Sequence, residues 1–210
     1  MTITVEHIAS FLRGFQRKEL KKPDLKKAAV LMLFYLKNGE LYVLLTKRTE
    51  DVEHHKGQIS FPGGSHDDVD SDLVVTALRE CEEEIGLPRG VVRILGLFDE
   101  YETPSGFAIT PVVACADALP PLTPHVVEVA EILEVPLSLF MDRRNERVEQ
   151  RVPFGIPVDV YFYRFGEHEI WGATAAILRS FLLSLRQSLE AETKTQSQPQ
   201  SHQGTKGKIN

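Results

Sequence analysis

Cysteine is scarce in this chain, and long apolar runs are lacking. The 210 residues include two cysteines, too few for a disulfide-stapled secreted scaffold, so a reduced cytoplasmic setting is expected. The longest uninterrupted apolar run is the nine residues 28–36, about half of what a membrane-spanning helix needs. The N-terminus has no basic stretch before its apolar residues, which predicts an amphipathic helix and not a signal peptide. We therefore expect no membrane association.

An excess of positive charge is also lacking. Lys and Arg number 24 against 30 Asp and Glu, which gives a formal net charge of -6. Proteins that bind nucleic acids present dense positive charge to the phosphate backbone, so no nucleic-acid partner is expected. The sequence contains neither a Gly-x-Ser-x-Gly nucleophile elbow nor a Walker-type phosphate loop. These absences argue against serine hydrolases and P-loop enzymes.

Composition divides the chain into three segments. Residues 1–26 form an N-terminal helix and a lead-in, and residues 27–190 form the main domain. Residues 191–210 contain only two apolar side chains, Ala191 and Ile209. Such a segment buries too little apolar surface to offset the entropy of ordering it, so we expect a disordered polar tail.

Strand and helix patterns alternate along the main domain. Asn38-Gly39 is a hairpin turn signal between two apolar runs. Apolar residues at helical spacing predict one helix over 72–85 and a closing helix over 171–189. The predicted strands are 28–36, 41–48, 58–61, 91–100, 109–116, 132–135 and 158–165. A mixed sheet flanked by helices, the α/β class, follows from this alternation.

Three carboxylates are predicted to share one face of the first of these helices. Glu80, Glu83 and Glu84 stand at i, i+3 and i+4, and they repel one another unless a cation lies between them. Mg²⁺ and Mn²⁺ prefer such oxygen ligands. Upstream, Gly63-Gly64 form a turn in which backbone atoms are free to approach a ligand closely. A solvated acidic helix face with an ordinary turn is the alternative interpretation.

The segment Arg79-Glu80-Cys81-Glu82-Glu83-Glu84-Ile85-Gly86-Leu87 resembles the second half of the Nudix box. The first half departs from that pattern. Five residues separate Gly64 from Asp70, which stands where the family has Glu, and the spacing from Asp70 to Arg79 is one residue longer than usual. Cys81 replaces a larger aliphatic residue.

This departure is similar to the coenzyme A pyrophosphatase branch of the Nudix family. That branch has a longer box and a characteristic lead-in, which here reads Leu44-Leu45-Thr46-Lys47-Arg48 and then Gly57-Gln58-Ile59-Ser60-Phe61-Pro62-Gly63-Gly64. Segments 103–107, 131–137 and 171–174 also resemble the branch. The likeness runs from about Lys27 to Leu185. It implies the Nudix fold, a mixed sheet sandwiched between helices (α/β/α).

The resemblance implies roles for the residues of the box. Glu80 and Glu84 are the first candidates for metal ligands, joined by Glu83 and the Gly64 carbonyl, with Mg²⁺ or Mn²⁺ as the cofactor. Glu83 is also a candidate for orienting the attacking water. Arg79 is expected to hold the glutamates through salt bridges without touching substrate.

Other candidates lie outside the box. The general base is expected at Glu128 or Glu131, with Glu100 and Glu102 as weaker alternatives; exposed surface carboxylates remain the other interpretation. Predicted substrate-binding residues are the cations Lys47, Arg48 and Lys56, then Arg143 and Arg144 as second choices, the Gly63-Gly64 turn, and Phe107 beside an apolar groove.

The leading functional hypothesis is metal-dependent hydrolysis of coenzyme A or acyl-coenzyme A to 3′,5′-ADP and (acyl-)4′-phosphopantetheine. A second hypothesis keeps the chemistry and changes the substrate to ADP-ribose, NADH, a dinucleoside polyphosphate or a capped RNA end. A third is a Nudix module that binds nucleotides without turnover, although such modules typically lose box glutamates. Whether the chain forms a homodimer stays open.

Overall fold

The computed structural model of the chain describes residues 2–50, 57–152, 155 and 157–196. Within them the chain forms four α-helices and eleven strands, in the order α1 (Val5–Gly14), β1 (Lys26–Lys37), β2 (Glu40–Arg48), β3 (Ile59–Ser60), β4 (Gly63–Ser65), α2 (Leu73–Ile85), β5 (Arg93–Leu97), β6 (Tyr101–Glu102), β7 (Phe107–Ala116), β8 (Val129–Pro136), α3 (Ser138–Met141), β9 (Glu146–Arg151), β10 (Val158–Phe165), β11 (His168–Trp171) and α4 (Gly172–Gln196).

The central sheet is mixed. Its main path runs β3-β2-β1-β7-β5, while β4 pairs with β1, β6 with β7, and β8 with β2. Strands β1 and β7 are parallel over ten residue pairs, and the other neighbours are antiparallel. The β1–β2 hairpin turns at Asn38 and Gly39, which both have positive φ (53° and 81°), as a type I′ turn requires. The predicted hairpin is confirmed.

The two faces of the central sheet pack into two separate cores. Ala29, Leu31 and Leu33 of β1 are fully buried in the core that α2 covers. The alternate residues Met32 and Phe34 are fully buried in the core formed with α1 and α4. Because successive strand side chains point to opposite faces, one strand serves both layers. The predicted α/β/α arrangement is confirmed. We call these the α2 face and the α4 face.

The N-terminal helix α1 packs into the core on the α4 face. Ile8 is fully buried, and Phe11 packs edge-on against Phe181 of α4 with 5.8 Å between ring centroids. Phe15 stacks on Phe98 at 5.0 Å. Residues 1–26 were predicted to form an N-terminal helix and a lead-in; helix α1 packs against the core of the α4 face, whereas residues 16–26 are largely exposed.

Strands β9, β10 and β11 form a second, antiparallel sheet. Only β10 was predicted. The predicted strand 91–100 is shorter in the structure, covering Arg93–Leu97, because a 3-10 turn precedes it and the pairing with β7 shifts register before Gly96. Helix α4 extends to Gln196, so residues 191–196 of the predicted disordered tail are helical. No helix of the described chain is long and apolar enough to cross a membrane.

Candidate metal and catalytic site

Helix α2 carries the three box glutamates and has well-defined ends. Asp72 caps its N-terminus by accepting hydrogen bonds from the amides of Val74 and Val75. Gly86 ends it in the left-handed conformation, with φ 68°. The helix therefore presents its last two turns, with the glutamates, beside the Gly63-Gly64 turn.

Glu84 is the most deeply buried carboxylate of the cluster, with 4% of the residue exposed. The amide of Gly63 donates a hydrogen bond to its Oε2 over 3.2 Å, and Nη1 of Arg48 lies 3.9 Å from its Oε1. Burial raises the pKa of Glu84 to about 7, even though the Gly63 amide and Arg48 oppose the rise. The negative charges of Glu80 and Glu128 raise it further.

Glu80 lies directly over Gly64. A Cβ at position 64 would come within 2.5 Å of the Glu80 carboxyl carbon, so only glycine leaves room for that carboxylate. Burial raises the pKa of Glu80, and the charge of Arg79 opposes this. Two partly desolvated carboxylates thus face the glycine turn from one side.

Arg79 holds the acidic side chains of the site together through hydrogen bonds. Its guanidinium donates to Glu80 over 2.9 Å and to Glu83 over 3.1 Å, and also to the carbonyl of Ser65. Its Nε and Nη2 bind both oxygens of Asp70, at 3.0 and 2.9 Å. The Arg79 side chain therefore donates hydrogen bonds to three carboxylates and one backbone carbonyl.

Asp70 is a functional candidate whose only signal in the sequence is its departure from the family pattern. Its side chain is almost fully buried and also accepts hydrogen bonds from the Thr76 hydroxyl and the Asp67 amide. Hydrogen bonds from Arg79 hold the pKa of Asp70 well below its usual range. Asp70 therefore anchors Arg79, which in turn orients the glutamates. In the sequence, the signal for this role was an Asp in place of the family's Glu, nine residues before Arg79.

We expect Asp70→Asn to lower kcat about ten- to a hundredfold, the usual cost of losing a group that orients metal ligands. The asparagine side chain lacks the negative charge that holds Arg79. Its NH2 group would also face an N–H group of the Arg79 guanidinium, and two donors cannot hydrogen-bond to each other. Steady-state kinetics of Asp70→Asn and of the exposed neighbour Asp68→Asn would measure the effect. Unchanged kcat in Asp70→Asn would contradict the anchoring role.

Several predicted residues meet on the α2 face. Arg48, the Gly63-Gly64 turn and the box glutamates are in contact as described above. Glu128 precedes β8 and lies close enough for its charge to raise the pKa of both Glu80 and Glu84. About half of its side chain remains exposed, and its backbone carbonyl accepts a hydrogen bond from Thr49.

Other predicted residues lie elsewhere. Lys47 and Glu131 are cross-strand partners on the α4 face, and Glu131 approaches Nε2 of His168 at 3.3 Å. Phe107 is on the same α4 face, under the Lys26 ammonium at 5.9 Å. Lys56 falls outside the described residues.

The remaining candidates are engaged in other contacts. Glu100 accepts hydrogen bonds from the Leu20 amide and the Thr110 hydroxyl. Glu102 binds Lys22. Arg144 pairs with Asp142, and the charge of Arg143 helps to lower the pKa of Glu146, on the opposite side of the domain from α2.

The donor set at the glycine turn fits a divalent cation of the Mg²⁺ type. In the described chain no three acidic, histidine or cysteine side chains already enclose a point where an ion would bind, and Glu83 faces Arg79. Glu80 and Glu84 nevertheless supply hard oxygen ligands, and because burial raises the pKa of each, a cation between them would favour their ionised form. We expect these two carboxylates and the Gly64 carbonyl to hold the ion.

Comparison with known proteins identifies the family. Residues 25–148 match the NUDIX domain. The chain belongs to the Nudix hydrolase family. It is 34% identical over 190 residues to the uncharacterized Nudix hydrolase NudL of Yersinia pestis (strain Pestoides F), covering 84% of this chain and 94% of NudL. The NudL of Yersinia pseudotuberculosis serotype O:1b matches equally.

Two solved Nudix structures illustrate the structural similarity. The MutT protein of Methanosarcina mazei Go1 has a TM-score of 0.49 and 17% identity, covering 82% of this chain and 99% of that one. The Ap4A hydrolase of C. elegans has a TM-score of 0.46 and 18% identity, covering 54% and 82%. Family membership establishes a hydrolase of diphosphate bonds, and Nudix hydrolases generally need divalent cations such as Mg²⁺ or Mn²⁺.

Proposed function

We propose that this Nudix hydrolase cleaves the diphosphate of coenzyme A and its thioesters, releasing 3′,5′-ADP and (acyl-)4′-phosphopantetheine. One observation carries the proposal: the lead-in that resembles the coenzyme A branch contacts the box carboxylates directly. Arg48 is the last residue of the first lead-in motif and Gly63 the last but one of the second, and both approach Glu84. This proximity of two branch-like residues to a box glutamate supports the proposal.

The chemistry requires a water molecule to attack an anionic phosphorus. A divalent cation held by Glu80, Glu84 and the Gly64 carbonyl supplies Lewis acidity and offsets the negative charge of the substrate. Arg79 fixes Glu80 and Glu83 through hydrogen bonds, so the carboxylates are oriented before substrate arrives. Arg48 faces the same carboxylates, and its buried Nε has no hydrogen-bond partner among the described residues. We assign the Arg48 guanidinium to binding a phosphate oxygen of the substrate.

Glu128 is the general base in this proposal. It takes a proton from water as the water oxygen bonds to phosphorus and the bridging P–O bond breaks. Its half-exposed carboxylate is accessible to solvent, and its charge acts on Glu80 and Glu84. Glu131 is not assigned this role because it lies on the α4 face with His168.

Product analysis tests the proposal. The purified protein is incubated with Mg²⁺ or Mn²⁺ and coenzyme A, dephospho-coenzyme A or ADP-ribose, and phosphate-containing products are separated and identified. We expect 3′,5′-ADP from coenzyme A, loss of the product with chelator, and slower turnover of the other two substrates. Preference for ADP-ribose would overturn the substrate assignment while keeping diphosphate hydrolysis. No turnover of any substrate would favour a nucleotide-binding module.

A further inference from the structure

Lys27 on β1 lies beside the glycine turn, although its sequence position gave no reason to single it out. Strand β4 pairs with the start of β1, with Ala29 opposite Gly64 and Ala28 opposite Ser65. The next step of this pairing places Lys27 beside His66, whose amide donates to the Lys27 carbonyl over 3.0 Å. Lys27 is thus two residues along the strand from the level of Gly64.

The side chain of Lys27 belongs to the α2 face. Ala29 packs in the core under α2, and residues two apart on a strand point to the same face. His66, its cross-strand neighbour, binds Thr76 of α2 through Nδ1, which fixes the same direction. Lys26 points to the α4 face, where its ammonium lies over Phe107. Both lysines are exposed, so they differ mainly in the face they occupy.

Lys27, like its neighbour Lys26, is not neutralised by a carboxylate of the described residues. Arg79 is consumed by carboxylates, Lys22 is paired with Glu102, and Lys37 with Glu134. Within the described part of the chain, Lys27 makes no ion pair. It is therefore a cation on the α2 face that remains available to a ligand.

We propose that Lys27 binds the 3′-phosphate of coenzyme A, an inference that rests on the proposed function. Two strand residues span roughly 7 Å, so an extended lysine side chain reaches the space next to a diphosphate that a cation at Glu80 and Gly64 would hold. The 3′-phosphate is on the ribose, a few bonds from that diphosphate. A flexible ammonium suits such a peripheral phosphate, whereas Arg48 contacts the cluster itself. Lys27 thus becomes the specificity-determining residue.

Lys27→Ala and the matched control Lys26→Ala test this assignment. Each removes one exposed positive charge from adjacent positions of the same strand. For Lys27→Ala we expect kcat/KM on coenzyme A to fall about tenfold, chiefly through KM, with little change on dephospho-coenzyme A. Lys26→Ala should leave both substrates nearly unaffected, and Lys27→Arg should recover most of the loss. Equal losses on both substrates would move Lys27 to the diphosphate and overturn the 3′-phosphate assignment.

A binding measurement separates failure of this inference from failure of the proposed function. Isothermal titration calorimetry compares the affinities for the product 3′,5′-ADP and for 5′-AMP in wild type, Lys27→Ala and Lys26→Ala. We expect Lys27→Ala to lose the preference for 3′,5′-ADP that wild type shows. If wild type cleaves coenzyme A but the Lys27→Ala preference is unchanged, only Lys27 is misassigned. If wild type prefers neither coenzyme A nor 3′,5′-ADP, the substrate proposal itself falls.

Discussion

Glu84→Gln is expected to lower kcat/KM at least about a thousandfold while the protein stays folded. Glutamine has nearly the same shape and still accepts a hydrogen bond from the Gly63 amide, but it lacks the charge needed to bind a divalent cation. Glu82→Gln is the matched control, because Glu82 is on the same helix, exposed, and paired with Arg89 away from the cluster. Activity near that of wild type in Glu84→Gln would remove Glu84 from the metal site.

The same substitution should stabilise the metal-free protein at alkaline pH. Burial raises the folded-state pKa of Glu84 to about 7 from 4.5, so folded protein binds the proton more tightly than unfolded protein. Stability is then lost as pH rises between those two values, and the ionised carboxylate costs about 3 kcal/mol above pH 7. Denaturant unfolding with chelator at pH 8 should show Glu84→Gln more stable than wild type, and the gap should vanish near pH 4.5. A less stable variant at pH 8 would contradict the burial argument.

Gly64→Ala should destroy activity with little effect on stability. The new methyl group would meet the carboxyl end of Glu80 at 2.5 Å, and that end is flexible enough to swing away. The displaced carboxylate can no longer bind the cation beside the Gly64 carbonyl, so we expect kcat/KM to fall about a hundredfold or more. Kinetics and thermal unfolding of the same sample provide the two readouts.

Gly63→Ala should have the opposite balance. Its Cβ would lie 2.3 Å from the Ala29 carbonyl oxygen and 2.6 Å from the Val30 Cα, which are backbone atoms of a central strand, and φ is +151°. We expect a loss of about 3 kcal/mol or more in unfolding free energy. Gly90→Ala meets nothing within 4 Å and controls for the glycine substitution. Equal stability losses at Gly63 and Gly64 would show that the turn, rather than the carboxylate, governs both positions.

The layer arrangement was readable from the sequence because its signals are local. Apolar spacing and the caps at Asp72 and Gly86 define α2, and Asn38-Gly39 specifies the hairpin. Strand β9 was missed because Val148 is its only apolar residue. It is held by cross-strand pairing with β10, a non-local interaction that leaves no periodic pattern.

The membership of the site was harder to predict than the fold. Lys47 and Arg48 are adjacent in the lead-in, but strand alternation sends only Arg48 to the carboxylates. Glu128, in the loop before β8, lies near the carboxylates, whereas Glu131 within β8 lies on the α4 face. Asp70 required knowing that its turn folds back under Arg79. The motifs in the sequence indicate candidate residues, whereas strand register and β-bulges determine which face of the sheet each candidate lies on.

The contact between the first and last helices constrains the order in which the protein is completed during synthesis. Phe11 precedes its partner Phe181 of α4 by about 170 residues. The core on the α4 face therefore stays open until α4 has been synthesised. Folding of that core should be slow, because a long loop of chain must close before this contact can form.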